Sequence, residues 1–141
     1  MTDLRVATFW VEDLLLAVEI ERVQEVLHAQ RLTPVPLAHP CVHGLLNLRG
    51  QIVTAVDARC RLGLREREEG GGVHFIICSQ GDPMSLVVDR EGEVLDLDTD
   101  PFDIPQTVDA AIRSLVTNVY KLDGTLLLVV DVDQILSTAA A

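Results

Sequence analysis

The sequence predicts a mostly β protein built from two small barrels that pack against each other. Three observations carry this prediction: short segments rich in Val, Ile and Leu, turn signals between them, and an internal repeat. The 141 residues, 48% of them hydrophobic and 23% charged, are enough to bury a core without a metal or disulfide. We therefore expect a single folded domain over residues 1–141.

Eight segments have the composition of β-strands, and polar turns such as Asp123-Gly124 separate them. The predicted strands cover residues 6–11, 14–20, 44–48, 52–56, 73–78, 84–88, 115–122 and 126–130. Two short helices are also predicted. Asp57 can cap the first, over 58–62, and the second follows Asp131 and ends near Ser137. The Gly70-Gly71-Gly72 run is interpreted as a hairpin tip.

The chain repeats itself in two places. Residues 48–57 match 122–131 at an offset of 122 − 48 = 74, and residues 18–27 match 86–95 at an offset of 86 − 18 = 68. The offsets differ by 74 − 68 = 6, so the second half contains a six-residue longer connection within 96–116. A half of about 70 residues can close its own strands into a small barrel, and closure removes exposed strand edges. The prediction leaves open an exchange of strands between the two halves.

Charge and hydropathy exclude several functions. The net charge is −11, from 22 acidic and 11 basic residues, which disfavours nucleic-acid binding because phosphates attract cations. The N-terminus lacks the apolar stretch of a signal peptide, and the longest apolar runs are too short to span a bilayer. We expect a cytoplasmic protein without direct membrane insertion. Its three cysteines, Cys41, Cys60 and Cys78, are expected to be small buried hydrophobes in a reducing compartment, at least one of them unpaired.

Two constellations resemble metal sites without completing them. His39, Cys41 and His43 alternate as zinc ligands would on a strand, but a fourth ligand must come from elsewhere, and Pro40 indicates a turn. The acidic run 96–100 lacks the later Gly and Glu of a calcium loop. No nucleophile elbow or phosphate-binding loop is present either. We predict no metal, no cofactor and no enzyme activity.

One hairpin carries a family resemblance. The segment Gly44-Leu-Leu-Asn-Leu-Arg-Gly-Gln-Ile-Val-Thr-Ala-Val-Asp57 resembles the signature hairpin of the CheW family of chemotaxis coupling proteins. Further segments are similar to the family in the same order along the chain, and they are Glu21-Arg-Val-Gln-Glu-Val26, Thr33-Pro-Val-Pro36 and Val87-Val-Asp-Arg90. The resemblance covers residues 7–136, nearly the whole chain.

The resemblance implies a fold of two five-stranded SH3-like barrels with short connecting helices. It also implies a non-enzymatic adaptor that couples chemoreceptors, the methyl-accepting chemotaxis proteins, to the histidine kinase CheA. The expected partners are the cytoplasmic tip of a chemoreceptor and the regulatory domain of a CheA-like kinase. Such a protein would be recruited to membrane-associated receptor arrays.

The resemblance also assigns a receptor-binding surface to five residues, which are Val23, Glu25, Val26, Asn47 and Arg49. The valines would supply apolar contact, Glu25 and Arg49 a surface ion pair, and Asn47 a neighbouring polar group. Two simpler interpretations stay open: the valines belong to the core, and Arg49 only occupies a tight turn. The residues that bind the kinase are not identified.

The second half departs from the family at Glu91, which stands where Val23 stands in the first half. Family members usually have an apolar residue there. A carboxylate at this place either lies near the presumed groove or turns to solvent, and it puts receptor contact through the second barrel in doubt. The alternative function is therefore a diverged CheW-like binding module with a different partner or without receptor contact.

Overall fold

The computed structural model describes residues 3–67 and 71–137. Ten strands form the described parts: β1 (Leu4–Val11), β2 (Leu14–Glu19), β3 (Val23–His28), β4 (Val42–Leu48), β5 (Gln51–Asp57), β6 (Val73–Ser79), β7 (Asp82–Val88), β8 (Arg90–Leu97), β9 (Val116–Leu122) and β10 (Thr125–Val130). The helices are α1 (Ala58–Arg61), α2 (Ala110–Arg113) and α3 (Val132–Leu136), with a 3₁₀ turn at Ile20–Arg22. Within the described ranges, no helix has the length and apolar character needed to cross a membrane.

The eight predicted strands are confirmed, with ends that differ by a few residues. Both predicted helices are present, and Asp57 and Asp131 accept the capping hydrogen bonds from backbone N–H groups. The sequence did not predict α2, nor that β3 and β8 are strands. Part of the Gly70-Gly71-Gly72 interpretation lies outside the described residues, because Gly70 is not among them.

The strands form two five-stranded sheets. Sheet A has the order β8-β1-β2-β10-β9 and sheet B has the order β3-β6-β7-β5-β4. The prediction of a mostly β, SH3-like fold with two packed five-stranded units is confirmed. The sheets are not closed into barrels, however. In the described part of the chain, β8 and β9 remain the edges of sheet A and β3 and β4 the edges of sheet B.

The two halves exchange strands, which is the arrangement that the prediction left open. Sheet B takes β6 and β7 from the second half, and sheet A takes β1 and β2 from the first. Parallel pairs make this exchange: β5 with β7, and β10 with β2. Hydrophobic patterns predict hairpins between neighbouring strands, but they carry no information on such distant parallel pairs.

Strand pairing confirms the internal repeat. Ala55 pairs with Ser85 between β5 and β7. Adding 74 to 55 gives 129, subtracting 68 from 85 gives 17, and Val129 does pair with Ala17 between β10 and β2. The β3–β6 pairing shifts register at Gln24, and the β8–β1 pairing shifts at the equivalent place, between Glu91 and Val94. The two sheets are therefore built to one plan.

Among the described residues, the core has three parts. The largest cluster takes residues from both sheets, including Phe9 and Phe75, whose ring centroids lie 5.1 Å apart. Two smaller clusters belong to one sheet each, around Tyr120 in sheet A and Leu46 in sheet B. Because successive side chains of a strand point to opposite faces, each sheet places one face on the shared core and the other on its own cluster.

Two of the three cysteines form a disulfide, so the expectation that these two are free small hydrophobes is wrong. Cys41 and Cys60 are bonded, with their Cα atoms 5.2 Å apart, while Cys78 is free and half-buried. The cause is the β4–β5 hairpin, because antiparallel pairing brings the residue before β4 next to the helix after β5.

Candidate functional site

The turn between β4 and β5 presents Arg49. Leu48 pairs with Gln51, so Arg49 and Gly50 are the two central residues of the turn, with φ angles of 51° and 86°. Two positive φ angles identify a type I′ turn, whose twist suits a β-hairpin. Asn47 Oδ1 accepts a hydrogen bond of 2.9 Å from the Gly50 N–H. Asn47 therefore stabilises the turn. The turn presents Arg49 to solvent, with 72% of the Arg49 side chain exposed.

Arg49 and Glu25 form a two-pronged ion pair. Arg49 Nη1 donates to Glu25 Oε1 at 3.3 Å, and Nη2 donates to Oε2. The hydrogen bonds from Arg49 lower the pKa of Glu25, which remains ionised near neutral pH. Glu25 lies on β3 and Arg49 on the turn after β4, and these strands are the two edges of sheet B. We call this pair the hairpin ion pair; it bridges the open seam of the sheet.

Val23 and Val26 serve the core at least in part. Both are half-buried and pack against the cluster shared by the two sheets. The register shift at Gln24 changes the alternation of the strand, and so both valines point toward that cluster. The structure thus brings Glu25, Asn47 and Arg49 together around one turn and places the valines beside the shared core. Their role in receptor binding stays a prediction.

Glu91 contacts the opposite sheet. Its Oε1 atom lies 3.4 Å from His28 Nε2, and 46% of its side chain is exposed. His28 ends β3 and Glu91 belongs to β8, so this contact joins an edge strand of each sheet. The carboxylate is therefore neither alone in an apolar groove nor turned fully to solvent.

The second half has no counterpart of the hairpin ion pair. By the offsets of the repeat, Glu93 (25 + 68) is the residue equivalent to Glu25, and Asp123 (49 + 74) is the residue equivalent to Arg49. Two carboxylates stand where the first half has a carboxylate and a guanidinium. Although the sheets follow one plan, the described positions 93 and 123 cannot form an ion pair like the one between Glu25 and Arg49.

Sequence reasoning missed an ionic cluster at the passage from β7 to β8. Asp89 accepts hydrogen bonds from Arg59 Nε at 2.9 Å, from Arg59 Nη2 at 2.7 Å and from the Glu12 N–H at 2.7 Å, and Arg67 also donates to it. Burial would raise the pKa of Asp89, but these hydrogen bonds outweigh it and lower the pKa to about 2. The resemblance drew attention to Val87–Arg90, and nothing in the sequence indicated which arginines meet Asp89.

The residues considered for zinc have other partners. Cys41 is bonded to Cys60, and His39 Nδ1 accepts a hydrogen bond of 3.0 Å from the Cys41 N–H. His43 lies 3.8 Å from Asp57, and the buried His74 is hydrogen-bonded to Ser85 at 2.8 Å. Across residues 3–67 and 71–137, no three His, Cys, Asp or Glu side chains are grouped to hold a metal ion.

Comparison with known proteins places the fold in a family. The family model described as CheW-like domain matches residues 5–140. A chemotaxis protein CheW from Rhizobium meliloti is 31% identical over 130 residues, 90% of this chain and 83% of the relative. Another from Thermotoga maritima is 25% identical over 136 residues, 96% of this chain and 89% of the relative.

A solved structure agrees with the sequence comparisons. The scaffolding protein TtCheW from Thermoanaerobacter tengcongensis superposes with a TM-score of 0.83 at 22% identity, covering 98% of this chain and 95% of that one. The structural likeness shows the fold, and the family model and the relatives show the descent. The chain therefore belongs to the CheW-like family.

Proposed function

We propose that the chain is a non-enzymatic adaptor that couples chemoreceptors to a CheA-like histidine kinase. Membership of the CheW-like family supports a scaffold role in chemotaxis signalling, as do relatives named chemotaxis protein CheW. An adaptor acts by holding two proteins together, which raises their effective concentration without chemistry of its own. We further propose that the protein acts in the cytoplasm and joins membrane-associated receptor arrays.

The hairpin ion pair is the observation that carries the receptor part of the proposal. An exposed ion pair contributes only about 0–1 kcal/mol to stability. An arginine in the left-handed conformation of this turn is itself unfavourable, so stability alone is a weak reason for Arg49 to stand there. Charged groups beside an apolar strip give register and partner choice to a bound helix. Val23 and Val26, both half-buried, would supply that strip beside Glu25.

Reversing the charge of Arg49 separates binding from folding. We expect Arg49→Glu to abolish pull-down by a soluble receptor tip while the thermal midpoint stays within about 4 °C of wild type, because the lost pair is exposed. Arg5→Glu is the matched control, since Arg5 and Asp96 form an exposed ion pair on sheet A. This control should bind the receptor tip normally.

The exchanged pair Glu25→Arg with Arg49→Glu refines the same test. It restores an ion pair with reversed polarity, so it should fold normally and still fail to bind. A large loss of stability in Arg49→Glu, with binding retained per folded molecule, would instead assign Arg49 a structural role in its turn.

The kinase surface is proposed from two exposed apolar side chains. Ile52 is 62% exposed on β5 and Leu126 is 41% exposed on β10. The repeat relates them, since 52 + 74 = 126. A single exposed apolar side chain is ordinary, but two at equivalent places give each sheet an apolar outer contact. The resemblance implies that the kinase regulatory domain has this same fold. We propose that the domain binds at the exposed side chain of Ile52 or at that of Leu126.

Changing these side chains tests the kinase contact. We expect Ile52→Asp or Leu126→Asp to weaken pull-down by the kinase regulatory domain at least about tenfold, because an apolar anchor buried at an interface contributes about 2 kcal/mol or more. Phe102→Asp is the control, because Phe102 is 58% exposed but falls outside the repeated hairpins. Wild-type kinase binding by both variants would place the kinase surface elsewhere.

The alternative is a diverged binding module without receptor contact. The contact between Glu91 and His28 favours it, because charge replaces an apolar residue where the two edge strands meet. Separate pull-downs with receptor tip and kinase distinguish the two proposals. Binding of both partners supports the adaptor, whereas binding of the kinase alone supports the diverged module.

A further inference from the structure

The disulfide encloses the hairpin that presents Arg49. Cys41 lies one residue before β4 and Cys60 lies on α1, three residues after the end of β5. The bond therefore joins the two ends of the β4–β5 hairpin, across a sequence separation of 19 residues. The equivalent hairpin of sheet A, β9–β10, is built to the same plan without a disulfide at its base, because its residues contain no cysteine.

The backbone holds the two cysteines together independently of the bond. The Asp57 N–H donates to the Cys41 carbonyl at 2.9 Å, and Val42 pairs with Val56 in the antiparallel register. The Asp57 carboxylate then accepts a hydrogen bond from the Arg59 N–H and so starts α1 beside the hairpin. Because these contacts do not involve sulfur, we expect the hairpin to keep its backbone pairing in the dithiol form as well.

The two sulfur-bearing residues differ in accessibility. Cys41 is 5% exposed, whereas Cys60 is half-buried and lines a cleft of about 420 Å³ together with His43 and Arg67. An incoming thiolate needs an open path to the sulfur that it attacks. Because Cys60 borders the cleft and Cys41 is buried, the arrangement favours attack at Cys60 with Cys41 as the departing sulfur.

We propose that Cys41–Cys60 is a reversible redox site, exchanged by dithiol and disulfide compounds at Cys60, which sets the rigidity of the β4–β5 hairpin. A thiolate of a dithiol attacks Cys60 Sγ, the Cys60–Cys41 bond breaks, and Cys41 leaves as a thiolate that takes a proton from water. The second thiol of the reductant then attacks its own sulfur in the mixed disulfide and releases Cys60. The protein gains two electrons and two protons, and the dithiol becomes a cyclic disulfide.

A thiol count tests whether the bond forms and reverses. The full chain is equilibrated with mixtures of reduced and oxidised dithiothreitol, quenched with acid, and alkylated in denaturant for mass spectrometry. We expect one alkylated cysteine, Cys78, at the oxidised end and three at the reduced end, with both limits reached from either direction. Three alkylated cysteines at the oxidised end would overturn the proposal.

Single variants test the order of attack. In Cys41→Ser, Cys60 should form a mixed disulfide with oxidised glutathione, and in Cys60→Ser the buried Cys41 should react at least about tenfold more slowly. Equal rates would overturn the assignment of Cys60 as the exchanging residue. Cys78→Ser is the control, and it should keep the full redox response of the Cys41–Cys60 pair.

Hydrogen exchange tests the effect on the hairpin. Reduction should speed exchange of amides in 42–57 by about tenfold or more and leave 116–130 unchanged, because only the first hairpin loses a covalent closure. The double variant Cys41→Ser with Cys60→Ser should match the reduced protein with or without reductant. Unchanged exchange in both hairpins would overturn control of rigidity by this bond.

Any effect on receptor binding rests on the proposed function, and a separate measurement keeps the two apart. Receptor pull-down is compared for the oxidised protein, the reduced protein and the double variant. Loss of binding in all three counts against the proposed function, while the thiol count and hydrogen exchange still decide the redox proposal.

Discussion

Arg49 occupies a backbone conformation that favours glycine or asparagine. A non-glycine residue in the left-handed region costs about 1 kcal/mol or more, and an exposed ion pair, which contributes about 0–1 kcal/mol, offsets that cost at most in part. Gln80 and Gly81 make the same kind of turn between β6 and β7, with φ angles of 52° and 87°. The same turn conformation therefore occurs in another hairpin of sheet B, and the guanidinium is the feature that distinguishes the β4–β5 turn.

His74 is a second residue whose environment has consequences. It is 2% exposed and hydrogen-bonded to Ser85, which is fully buried. Burial is the main cause that lowers the pKa of His74 to about 4, with smaller contributions from His43 and Arg67. The imidazole is consequently neutral in the folded protein at physiological pH.

This shift predicts a loss of stability in mild acid. The folded pKa, about 4, lies below the unfolded value of about 6.5, so the unfolded chain binds the proton first. The contribution of His74 is present above pH 6.5 and declines as the pH falls toward 4. We expect the free energy of unfolding to drop by about 2 kcal/mol between pH 7.5 and pH 5 because of this residue.

Urea titrations of wild type and His74→Gln at pH 7.5 and pH 5 measure the effect. The variant should be less stable at pH 7.5 but lose about 2 kcal/mol less than wild type on acidification. His28→Gln is the control, because 68% of the His28 side chain is exposed. An equal pH dependence in wild type and His74→Gln would contradict the burial argument.

At the scale of elements, the chain crosses between the sheets at two equivalent points, and hydrogen bonds between charged side chains stabilise both crossings. At the 3₁₀ turn, Arg22 donates to the Cys78 carbonyl and to Asp133, 2.9 Å away. Between β7 and β8, Asp89 accepts hydrogen bonds from Arg59 and Arg67. Each set of hydrogen bonds joins parts of the chain that are distant in sequence. These bonds therefore stabilise the crossing against local unfolding.

The two strands that the sequence failed to predict are the ones that follow these crossings. β3 and β8 are edge strands with an irregular register, and polar residues interrupt the Val, Ile and Leu composition that identified the other eight strands. The packing of their half-exposed side chains depends on the neighbouring sheet, and no periodicity in the sequence predicts it. The resemblance still located Glu25 and Arg49, whereas the contact between Glu91 and His28 required three-dimensional placement of both edges.

The disulfide was missed for a related reason. The spacing of Cys41 and Cys60 has no meaning until the β4–β5 hairpin is placed, and the apolar neighbours of each cysteine indicated burial alone. The register of that hairpin comes from the structure, in which Leu48 pairs with Gln51 and Val42 with Val56. The pairing of the cysteines follows from it, since 41 and 60 flank the strands almost symmetrically.

At the scale of the molecule, exchange of strands makes the two halves depend on each other. Neither half contains the strands of a complete sheet, because β2 needs β10 and β5 needs β7 as parallel partners. The largest core cluster also takes residues from both halves, so separating them would expose its apolar surface to water. Folding should therefore be a single cooperative event for the whole chain.

Cutting the chain between the halves tests this dependence. Fragments 1–69 and 70–141 hold five strands each, yet we expect neither to show a cooperative thermal transition alone. Mixed in equal amounts, they should regain the β-type circular dichroism of the intact protein and one transition whose midpoint rises with concentration. The disulfide lies within the first fragment and cannot join the two. A cooperative transition in either isolated fragment would mean that a half can complete a sheet from its own strands, contrary to the parallel pairs that link them.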